Sequence, residues 1–344
     1  MTETGHSNLT QEALERFYDG RRVLITGGLG FLGSSTANRL ASMNAQVVVV
    51  DSLHPLYGGN RFNLDPAFSE RIRVVIGDVR DGELMKQLVA DAEIIYHFAA
   101  QVSYIDSGDM PLEDLAVNQQ ASLSLLEACR HTNPTAKVLF ASSRLVLGET
   151  KFETIDENHP TEPLSMYAVH KLAVEKYCYL YFKNHGIPTT VLRITNPYGP
   201  RQQIKHNKYS MVGWFIRQAM EGKEIPIFGE GLQRRNYIFV EDIVEAFIRC
   251  GATTAADGQL FFVGSCASDE FRTMAELVVE SVGKGTIRYV PWPKNYERVE
   301  TGDVFIDTSR LKAAIDWVPQ FTLREGIERT YAYYAKHWKM YIDG

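Results

Sequence analysis

The side chains best suited to acid–base chemistry in this sequence are Tyr167 and Lys171, which are four residues apart. Residues at this spacing share one face of a helix. A free phenol has a pKa of about 10 and is a poor base at neutral pH, but a nearby ammonium group lowers that pKa. Ser143, a second hydroxyl residue, ends an apolar run upstream. Together these residues predict a site that uses an activated phenol as its base.

A glycine-rich turn provides the second chemical feature. An apolar run that begins at Arg22 leads into glycines spaced as G-x-x-G-x-x-G, and a helical pattern follows. A strand, a tight turn and a helix in this order present backbone N–H groups and the positive helix end to a diphosphate. The predicted cofactor contacts at this turn are Gly27, Gly30, Phe31, Leu32 and Gly33.

An acidic residue after the second apolar run predicts which dinucleotide binds. Asp51 lies 18 residues beyond Gly33, where a carboxylate accepts hydrogen bonds from a ribose and repels a 2′-phosphate. The sequence therefore favours NAD over NADP, although Arg61 downstream is a side chain that would suit NADP. Further contacts are predicted where the third and fourth strands end, at Asp78, Val79, Ala99 and Ala100. The structural alternative for each carboxylate is a turn or helix cap.

Alternating strand and helix patterns must position these residues. Such alternation predicts an α/β fold with a Rossmann-type, doubly wound parallel sheet. The predicted strands are Arg22–Thr26, Gln46–Asp51, Arg71–Gly77, Ile94–Phe98, Lys137–Ala141 and Thr189–Ile194. The predicted helices are Gly33–Met43, Gly82–Leu88, Leu112–Thr132 and Tyr167–His185. A short amphipathic helix is also expected within residues 1–20, packed on the main body.

Composition excludes several classes of function. The net charge of -6 argues against nucleic acid as a partner, and no apolar run approaches the ~18 residues that span a bilayer. The N-terminus lacks the apolar segment of a signal peptide. The four cysteines are far apart and the nine histidines show no ligand spacing. We therefore expect a cytoplasmic protein with reduced thiols, no metal and no membrane association.

These motifs together resemble the extended short-chain dehydrogenase/reductase family. The resemblance is to its nucleotide-sugar epimerase/dehydratase branch, the UDP-glucose 4-epimerase-like enzymes, and it covers about Arg22 to Tyr334. The spacing of Ser107, Pro111 and Asn118 also matches. The other matching segments are TGGLGFLG (Thr26–Gly33), HFAA (His97–Ala100), YAVHK (Tyr167–Lys171), LRITNPYGPR (Leu192–Arg201), Ile227–Ala246 and Thr308–Thr330.

The resemblance implies a role for each matching residue. Tyr167 would take the proton from a sugar hydroxyl, usually at carbon 4, as hydride passes to NAD. Ser143 would hydrogen-bond the same oxygen, and Lys171 would also hold the nicotinamide ribose. Asn118 and Tyr167 are further expected cofactor contacts. The expected substrate-binding residues are Ser103, Ser143, Arg144, Asn196, Arg235 and Arg298.

Two departures from the family pattern bear on the reaction. Dehydratases of this branch carry an Asp-Glu pair where this chain has Arg144 and Leu145, so 4,6-dehydration is disfavoured. Uronic acid decarboxylases commonly have a glutamate at the position of Leu145. Arg144 places a cation where it could bind the carboxylate of an acidic sugar. The alternative is that its side chain points to solvent. Leu147 replaces a usual tyrosine with little chemical consequence.

The resulting hypothesis is an NAD-dependent nucleotide-sugar 4-epimerase, an isomerase of carbohydrate metabolism that acts most naturally on a UDP-sugar. The alternatives are a 4-dehydrogenase or 4-keto reductase, a uronic acid decarboxylase, and a non-catalytic NAD-binding protein. The expected domains are an N-terminal extension (1–20), an NAD-binding domain (21–194 plus about 235–265) and a smaller nucleotide-sugar-binding lobe (about 195–234 plus 266–340).

The resemblance further implies a homodimer. Helices 112–132 and 167–185 carry apolar residues beyond one inward stripe, namely Leu123, Leu126, Tyr177, Leu180 and Tyr181. A broader buried face within one chain is the alternative. Segments 202–209 and 53–62 are expected to line or cover the site.

Overall fold

The computed structural model describes residues 9–292 and 301–342. Its strands are β1 (Arg22–Thr26), β2 (Gln46–Asp51), β3 (Ile72–Ile76), β4 (Ile94–His97), β5 (Lys137–Ser143), β6 (Thr189–Ile194), β7 (Asn196–Tyr198), β8 (Glu224–Phe228), β9 (Arg234–Arg235), β10 (Tyr237–Phe239), β11 (Gln259–Val263), β12 (Asp269–Glu270) and β13 (Thr286–Val290). Seven of them form one sheet in the order β11-β6-β5-β4-β1-β2-β3. All its pairings are parallel.

Helices cover both faces of this sheet. They are α1 (Gln11–Tyr18), α2 (Phe31–Ser42), α3 (Gly82–Ala90), α4 (Asp106–Asp109), α5 (Pro111–Asp114), α6 (Ala121–Thr132), α7 (Met166–His185), α8 (Met211–Met220), α9 (Val240–Gly251) and α10 (Phe271–Val282). Three more follow, Ser309–Ile315, Leu323–His337 and Lys339–Ile342. The predicted doubly wound Rossmann-type fold is confirmed, because strand order reverses between β1 and β4.

The two cores follow from the alternation of side chains along each strand. In β1, Val23 and Ile25 pack in one apolar cluster with helices α2 and α9. Leu24 faces the other way and packs in a second cluster with α3, α6 and α7. Strands buried on both faces read as continuous apolar runs, which is why their bounds were close to the predicted ones.

One predicted helix is divided. The range 112–132 comprises the end of α5, a π-helical segment over Leu115–Gln120, and α6. Over so short a length a π-helical segment has the same apolar pattern as an α-helix, so it was not predicted. Its widened turn places Val117 and Asn118 in the interior.

Short strand pairs lie outside the large sheet. β13 pairs with β8 and β10 with β7, both parallel, whereas β12 pairs with β9 antiparallel. α8 and α10 pack against each other and against β8. The proposed division into two lobes remains a prediction.

The N-terminal helix α1 is anchored in the main core. Thr10 caps it by accepting a hydrogen bond from the Ala13 N–H. Tyr18 is fully buried, and its hydroxyl lies 2.7 Å from the Tyr96 hydroxyl and donates to the Ile248 carbonyl at 2.7 Å. The helix is thus part of the folded body; residues 1–8 lie outside the described residues.

The described residues contain no helix that is both long and apolar enough to cross a bilayer. All four cysteines are free thiols, three of them buried and Cys266 exposed. Within the same residues, no group of His, Cys, Asp or Glu side chains is arranged to hold a metal ion.

Candidate active site

The carboxyl ends of the central strands border a cavity of about 560 Å³. Its walls include Gly27 after β1, Asp51 at the end of β2, Ala99 after β4, Ser143 at the end of β5 and Ile194 at the end of β6. In open parallel sheets this edge is where ligands bind, beside the reversal of strand order. The cavity is therefore the candidate active site.

The glycine turn borders one end of the cavity and leaves no room for side chains. A Cβ atom on Gly33 would lie 2.1 Å from the Gly27 carbonyl oxygen, and one on Gly27 would lie 2.8 Å from the Ala99 nitrogen. Gly27 also adopts a φ of 67°, which favours glycine. Gly30 begins α2 without a side-chain cap, so the first N–H groups of the helix remain available to an anion.

Asp51 lies beside this turn. Its two carboxylate oxygens accept hydrogen bonds from the Leu29 N–H at 3.0 Å and the Leu53 N–H at 2.8 Å. Burial raises its pKa, and the backbone donors oppose that rise. A carboxylate can accept about four hydrogen bonds, so capacity remains for ribose hydroxyls. Glycine turn, helix end and carboxylate together fit the diphosphate and ribose of NAD.

Asp78 has a strong partner of its own. Arg80 donates to it at 2.7 Å and 3.0 Å, and this bond lowers the pKa of the carboxyl group. Asp78, Val79 and Arg80 all line the cavity. The structure therefore places Asp78 where it was predicted, but its carboxylate is engaged by Arg80.

The three predicted catalytic side chains meet at the other end of the cavity. Ser143 ends β5 and accepts a hydrogen bond from the Leu145 N–H at 3.2 Å. Its hydroxyl lies near enough to the phenol of Tyr167 to oppose the rise of that phenol's pKa. Lys171 lies one helical turn further along α7, donates to the Ala141 carbonyl at 3.0 Å, and has its Nζ 5.8 Å from the centre of the Tyr167 ring.

Burial dominates the electrostatics of this group. It raises the pKa of Tyr167, and the Ser143 hydroxyl opposes that rise. It lowers the pKa of Lys171 to about 8, whereas Asp114 and then Glu175 raise it. Because a dry site has a low effective dielectric constant, a phenolate and an ammonium group interact strongly there once both are charged.

Most of the predicted cofactor residues line the cavity. Those that do so are Gly27, Gly30, Phe31, Leu32, Gly33, Asp51, Asp78, Val79, Ala99, Ala100, Tyr167 and Lys171. Asn118 does not: its amide donates to the Gln101 carbonyl at 2.9 Å and accepts from the Gln101 N–H at 3.0 Å. Asn118 thus fixes the loop after β4, because both the oxygen and the nitrogen of its amide are hydrogen-bonded to the backbone of Gln101.

The predicted substrate residues divide in the same way. Asn196, Arg235, Ser143 and Arg144 line the cavity. Ser103 does not, because it is fully buried and its hydroxyl accepts from the Asp106 N–H at 3.0 Å. Arg298 lies outside the described residues.

Arg144 is buried, in contrast to the alternative that it points to solvent. Only 8% of it is exposed, and its Nη1 donates to the Thr301 hydroxyl at 3.0 Å. Arg235 donates to the Gly302 carbonyl at 2.9 Å. Both arginines therefore hold residues 301–302 at the cavity wall.

The segment 202–210 crosses the cavity, as expected for 202–209. Lys208 is paired with Asp106 at 2.9 Å, and the Tyr209 hydroxyl donates to the Leu56 carbonyl at 2.7 Å. Gln203, Lys208 and Tyr209 line the cavity, as does Tyr57 from the facing segment 53–62. These contacts join the two sides of the opening.

Several aromatic residues on the wall were not predicted as site residues. They include Phe228, Tyr237, Phe271 and Trp292. The rings of Phe228 and Trp292 lie 5.5 Å apart at 51°. Phe228 and Tyr237 fall within the matching segment Ile227–Ala246, but only the tertiary fold brings Phe271 and Trp292 beside them.

The comparisons with known proteins agree with this geometry. Residues 23–264 match the model of the NAD dependent epimerase/dehydratase family. The chain belongs to this family of enzymes, and the predicted cofactor, NAD, is confirmed at the level of the family.

Similar proteins include epimerases and dehydratases. The UDP-glucose 4-epimerase of Mycolicibacterium smegmatis is 32% identical over 318 residues, which are 91% of this chain and 98% of the relative. A dTDP-glucose 4,6-dehydratase of Streptomyces niveus is 29% identical over 91% of this chain and 92% of its own length. Sequence similarity therefore shows a nucleotide-sugar enzyme without deciding between the two reactions.

Solved structures show the same fold. The Thermotoga maritima UDP-glucose 4-epimerase with UDP-glucose has a TM-score of 0.83 and 28% identity, covering 92% of this chain and 99% of that one. The Thermus thermophilus UDP-glucose 4-epimerase complex with NAD has a TM-score of 0.81 and 29% identity, covering 91% and 99%.

Proposed function

We propose that this chain is an NAD-dependent nucleotide-sugar 4-epimerase that acts on a UDP-sugar. The observation that carries the proposal is the meeting of Ser143, Tyr167 and Lys171 in the same cavity as the glycine turn and Asp51. The named 4-epimerases among its relatives, and the UDP-glucose bound in one of them, support this choice of reaction and substrate.

The chemistry begins with the hydroxyl group at sugar carbon 4. Tyr167 accepts the hydroxyl proton at its phenolate oxygen, and Ser143 hydrogen-bonds the same substrate oxygen. NAD, when bound, supplies the reversible hydride acceptor for carbon 4. Lys171 keeps a positive charge beside the phenolate, which stabilises that form of Tyr167. After the keto sugar has turned over, the hydride would return to the opposite face of carbon 4 and Tyr167 would return the proton to the oxygen, which gives the opposite configuration.

The positions of the carboxylates that line the cavity favour epimerisation over dehydration. Elimination of water requires an acid and a base beyond the tyrosine, and the resemblance places them at Arg144 and Leu145. Among the described residues that line the cavity, the carboxylates are Asp51 and Asp78. Both follow strands on the β1–β3 side of the sheet, away from Tyr167 on the β5 side. The described wall beside Tyr167 thus offers no carboxyl group for elimination.

A substrate screen on the purified protein tests the proposal. It is incubated with UDP-, GDP-, CDP- and dTDP-sugars without added cofactor, and products are followed by NMR and by the absorbance of reduced nicotinamide. We expect a new 4-epimer of a UDP-sugar with no net change in absorbance. Stoichiometric reduced cofactor with a 4-keto product would instead identify a dehydrogenase, and loss of water or carbon dioxide would identify a dehydratase or decarboxylase.

We further propose that two copies associate through α6 and α7. Of the five residues expected at the interface, Leu126 is in the core and Leu180 is exposed, whereas Leu123, Tyr177 and Tyr181 are half-buried. Leu112, Met166, Val169 and Tyr179 are further exposed apolar residues on α5 and α7. A second copy would cover this face, since contiguous exposed apolar residues are typical of interaction sites.

We infer a cytoplasmic location from the free thiols. Cys129, Cys178 and Cys250 are buried and unpaired, which suits a compartment that keeps thiols reduced. Fractionation of the native cells tests this inference, and recovery of the protein with secreted material would overturn it.

A further inference from the structure

A fully buried carboxylate outside the cavity has no place in the chemistry described so far. Asp114, at the end of α5, is 0% exposed and does not line the cavity. One carboxylate oxygen lies 2.5 Å from Nδ1 of His170, and the other accepts a hydrogen bond from the Gln101 amide at 2.9 Å. A buried carboxylate with two such partners is held in one position, because an unpaired one would be costly.

These partners connect Asp114 to the catalytic helix. His170 directly precedes Lys171 in α7. Gln101 belongs to the loop after β4 that Asn118 fixes through backbone bonds. The position of Asp114 relative to Lys171 is thus determined from both the helix and the loop.

Lys171 has a second carboxylate neighbour, Glu175. Unlike Asp114, Glu175 is paired with an arginine. Glu175 accepts two hydrogen bonds from Arg193, at 2.9 Å and 2.7 Å, and one from Ser142 at 2.6 Å. The guanidinium group is permanently charged, so it offsets the charge of Glu175. Asp114 is held instead by an imidazole and an amide.

The other titratable groups beside Lys171 and Asp114 in the described residues are Tyr167, His97 and His170, and His170 forms an ion pair with Asp114 when it is protonated. The pKa of His97 is lowered to about 3 by burial and by Lys171, so its imidazole is neutral. Of the groups around Lys171, Asp114 is the largest cause that raises the pKa of its ammonium group, and it also raises the pKa of the Tyr167 phenol.

We propose that Asp114, held by His170 and Gln101, is a positioning residue that keeps buried Lys171 in the ammonium form. The proposal rests on the proposed function only for the role that Lys171 has in catalysis. Its effect on Lys171 is a property of the protein without substrate.

The direction in which the two pKa values change distinguishes an electrostatic role of Asp114 from a purely structural one. Removal of a negative charge makes deprotonation easier for both Lys171 and Tyr167. In Asp114→Asn both groups lose their protons at lower pH, so both limbs of the pH profile of activity must move to lower pH. A variant that only disturbed the structure would lower activity without moving the limbs.

The test measures the pKa of Lys171 by NMR in protein labelled with 13C at the lysine ε carbon. The signal is assigned by its absence in Lys171→Met. We expect the pKa to fall by about one pH unit in Asp114→Asn, in line with loss of a nearby opposite charge. Asp109→Asn, which removes an exposed carboxylate five residues earlier, is the matched control and is expected to match the unsubstituted protein.

The amide can replace the carboxylate without an unpaired group, because it can donate to Nδ1 of the other His170 tautomer and accept from Gln101. Asp114→Ser, which leaves room for water, is used if the first variant does not fold. An unchanged Lys171 pKa in a folded variant would overturn the proposal. Because this titration uses no substrate, failure of the epimerase assay leaves its result intact, and the two hypotheses fail separately.

Discussion

Tyr167 is the residue on which the proposed chemistry depends most directly. It is buried at the cavity wall, with Ser143 nearby and Lys171 one helical turn away. In the proposed mechanism Lys171 acts on the substrate oxygen through this phenol, and Ser143 hydrogen-bonds that oxygen directly. The removal of one hydroxyl group is therefore the sharpest test at the scale of single residues.

We predict that Tyr167→Phe lowers kcat about 10²- to 10⁴-fold, the usual contribution of a positioned acid–base group. The ring is kept, so NAD content and fold should be unchanged. Tyr179→Phe, which removes an exposed hydroxyl from the same helix, is the control. Steady-state rates on the sugar found in the screen give the answer, and equal rates for the two variants would rule out the assigned role.

The residues predicted from the sequence are those that share a local pattern or a family motif. Tyr167 and Lys171 are four apart, and the glycine turn is contiguous. Asp114 and His170 are 56 positions apart, and no spacing signals their contact. Ser103 is a similar case, since only the folded loop shows that its hydroxyl accepts a hydrogen bond from the Asp106 N–H.

At the scale of elements, the β1–α2 turn is fixed by glycine at a point of closest approach. Gly33→Ala would place a Cβ atom 2.1 Å from the Gly27 oxygen, so the turn must open. We predict a loss of about 1–3 kcal/mol in the free energy of unfolding, typical of overpacking, together with loss of bound NAD. Urea unfolding and the nucleotide content of the purified protein measure both.

Gly82→Ala is the matched control for that substitution. Gly82 begins α3, and a Cβ atom there would meet nothing within 4 Å. We expect this variant to be more stable by about 0.4–1 kcal/mol, because alanine restricts the unfolded chain. Equal effects at both glycines would refute the argument from close approach.

The docking of α1 gives a second prediction at this scale. Tyr18→Phe removes a buried hydroxyl that donates to the Ile248 carbonyl and lies against the Tyr96 hydroxyl. The Ile248 carbonyl keeps its hydrogen bond from the Ala252 N–H, but the buried Tyr96 hydroxyl loses its partner, which should cost about 1–3 kcal/mol of unfolding free energy, measured by urea titration. Tyr179→Phe serves again as the control, and a stability equal to the unsubstituted protein would contradict the assigned anchoring.

Six of the seven strands of the large sheet, all except β11, were predicted, because their side chains are largely buried on both faces, as in β1 and β2. The pairs β8–β13 and β9–β12 were not. β9 and β12 are only two residues long, and the partners in both pairs are far apart in the chain. Tertiary contacts, rather than local pattern, determine that these residues form strands.

At the scale of the whole molecule, the exposed apolar face of α7 predicts association. We expect Leu180→Glu to convert a dimer to a monomer in sedimentation velocity experiments, because a charge would be buried at the interface. Leu232→Glu alters a similarly exposed leucine away from α6 and α7 and should leave the dimer intact. A monomeric unsubstituted protein would refute the proposed homodimer.

The π-helical segment 115–120 has a consequence for the whole catalytic arrangement. An α-helix advances about 100° per residue, and a π-helical stretch turns less for each residue, so it sets the rotational phase between the helical turns on its two sides. The packing of α6 in the core fixes the rotation on one side of the segment, and Asp114, the last residue of α5, directly precedes the segment on the other side. The winding of residues 115–120 therefore determines how Asp114 is rotated relative to His170.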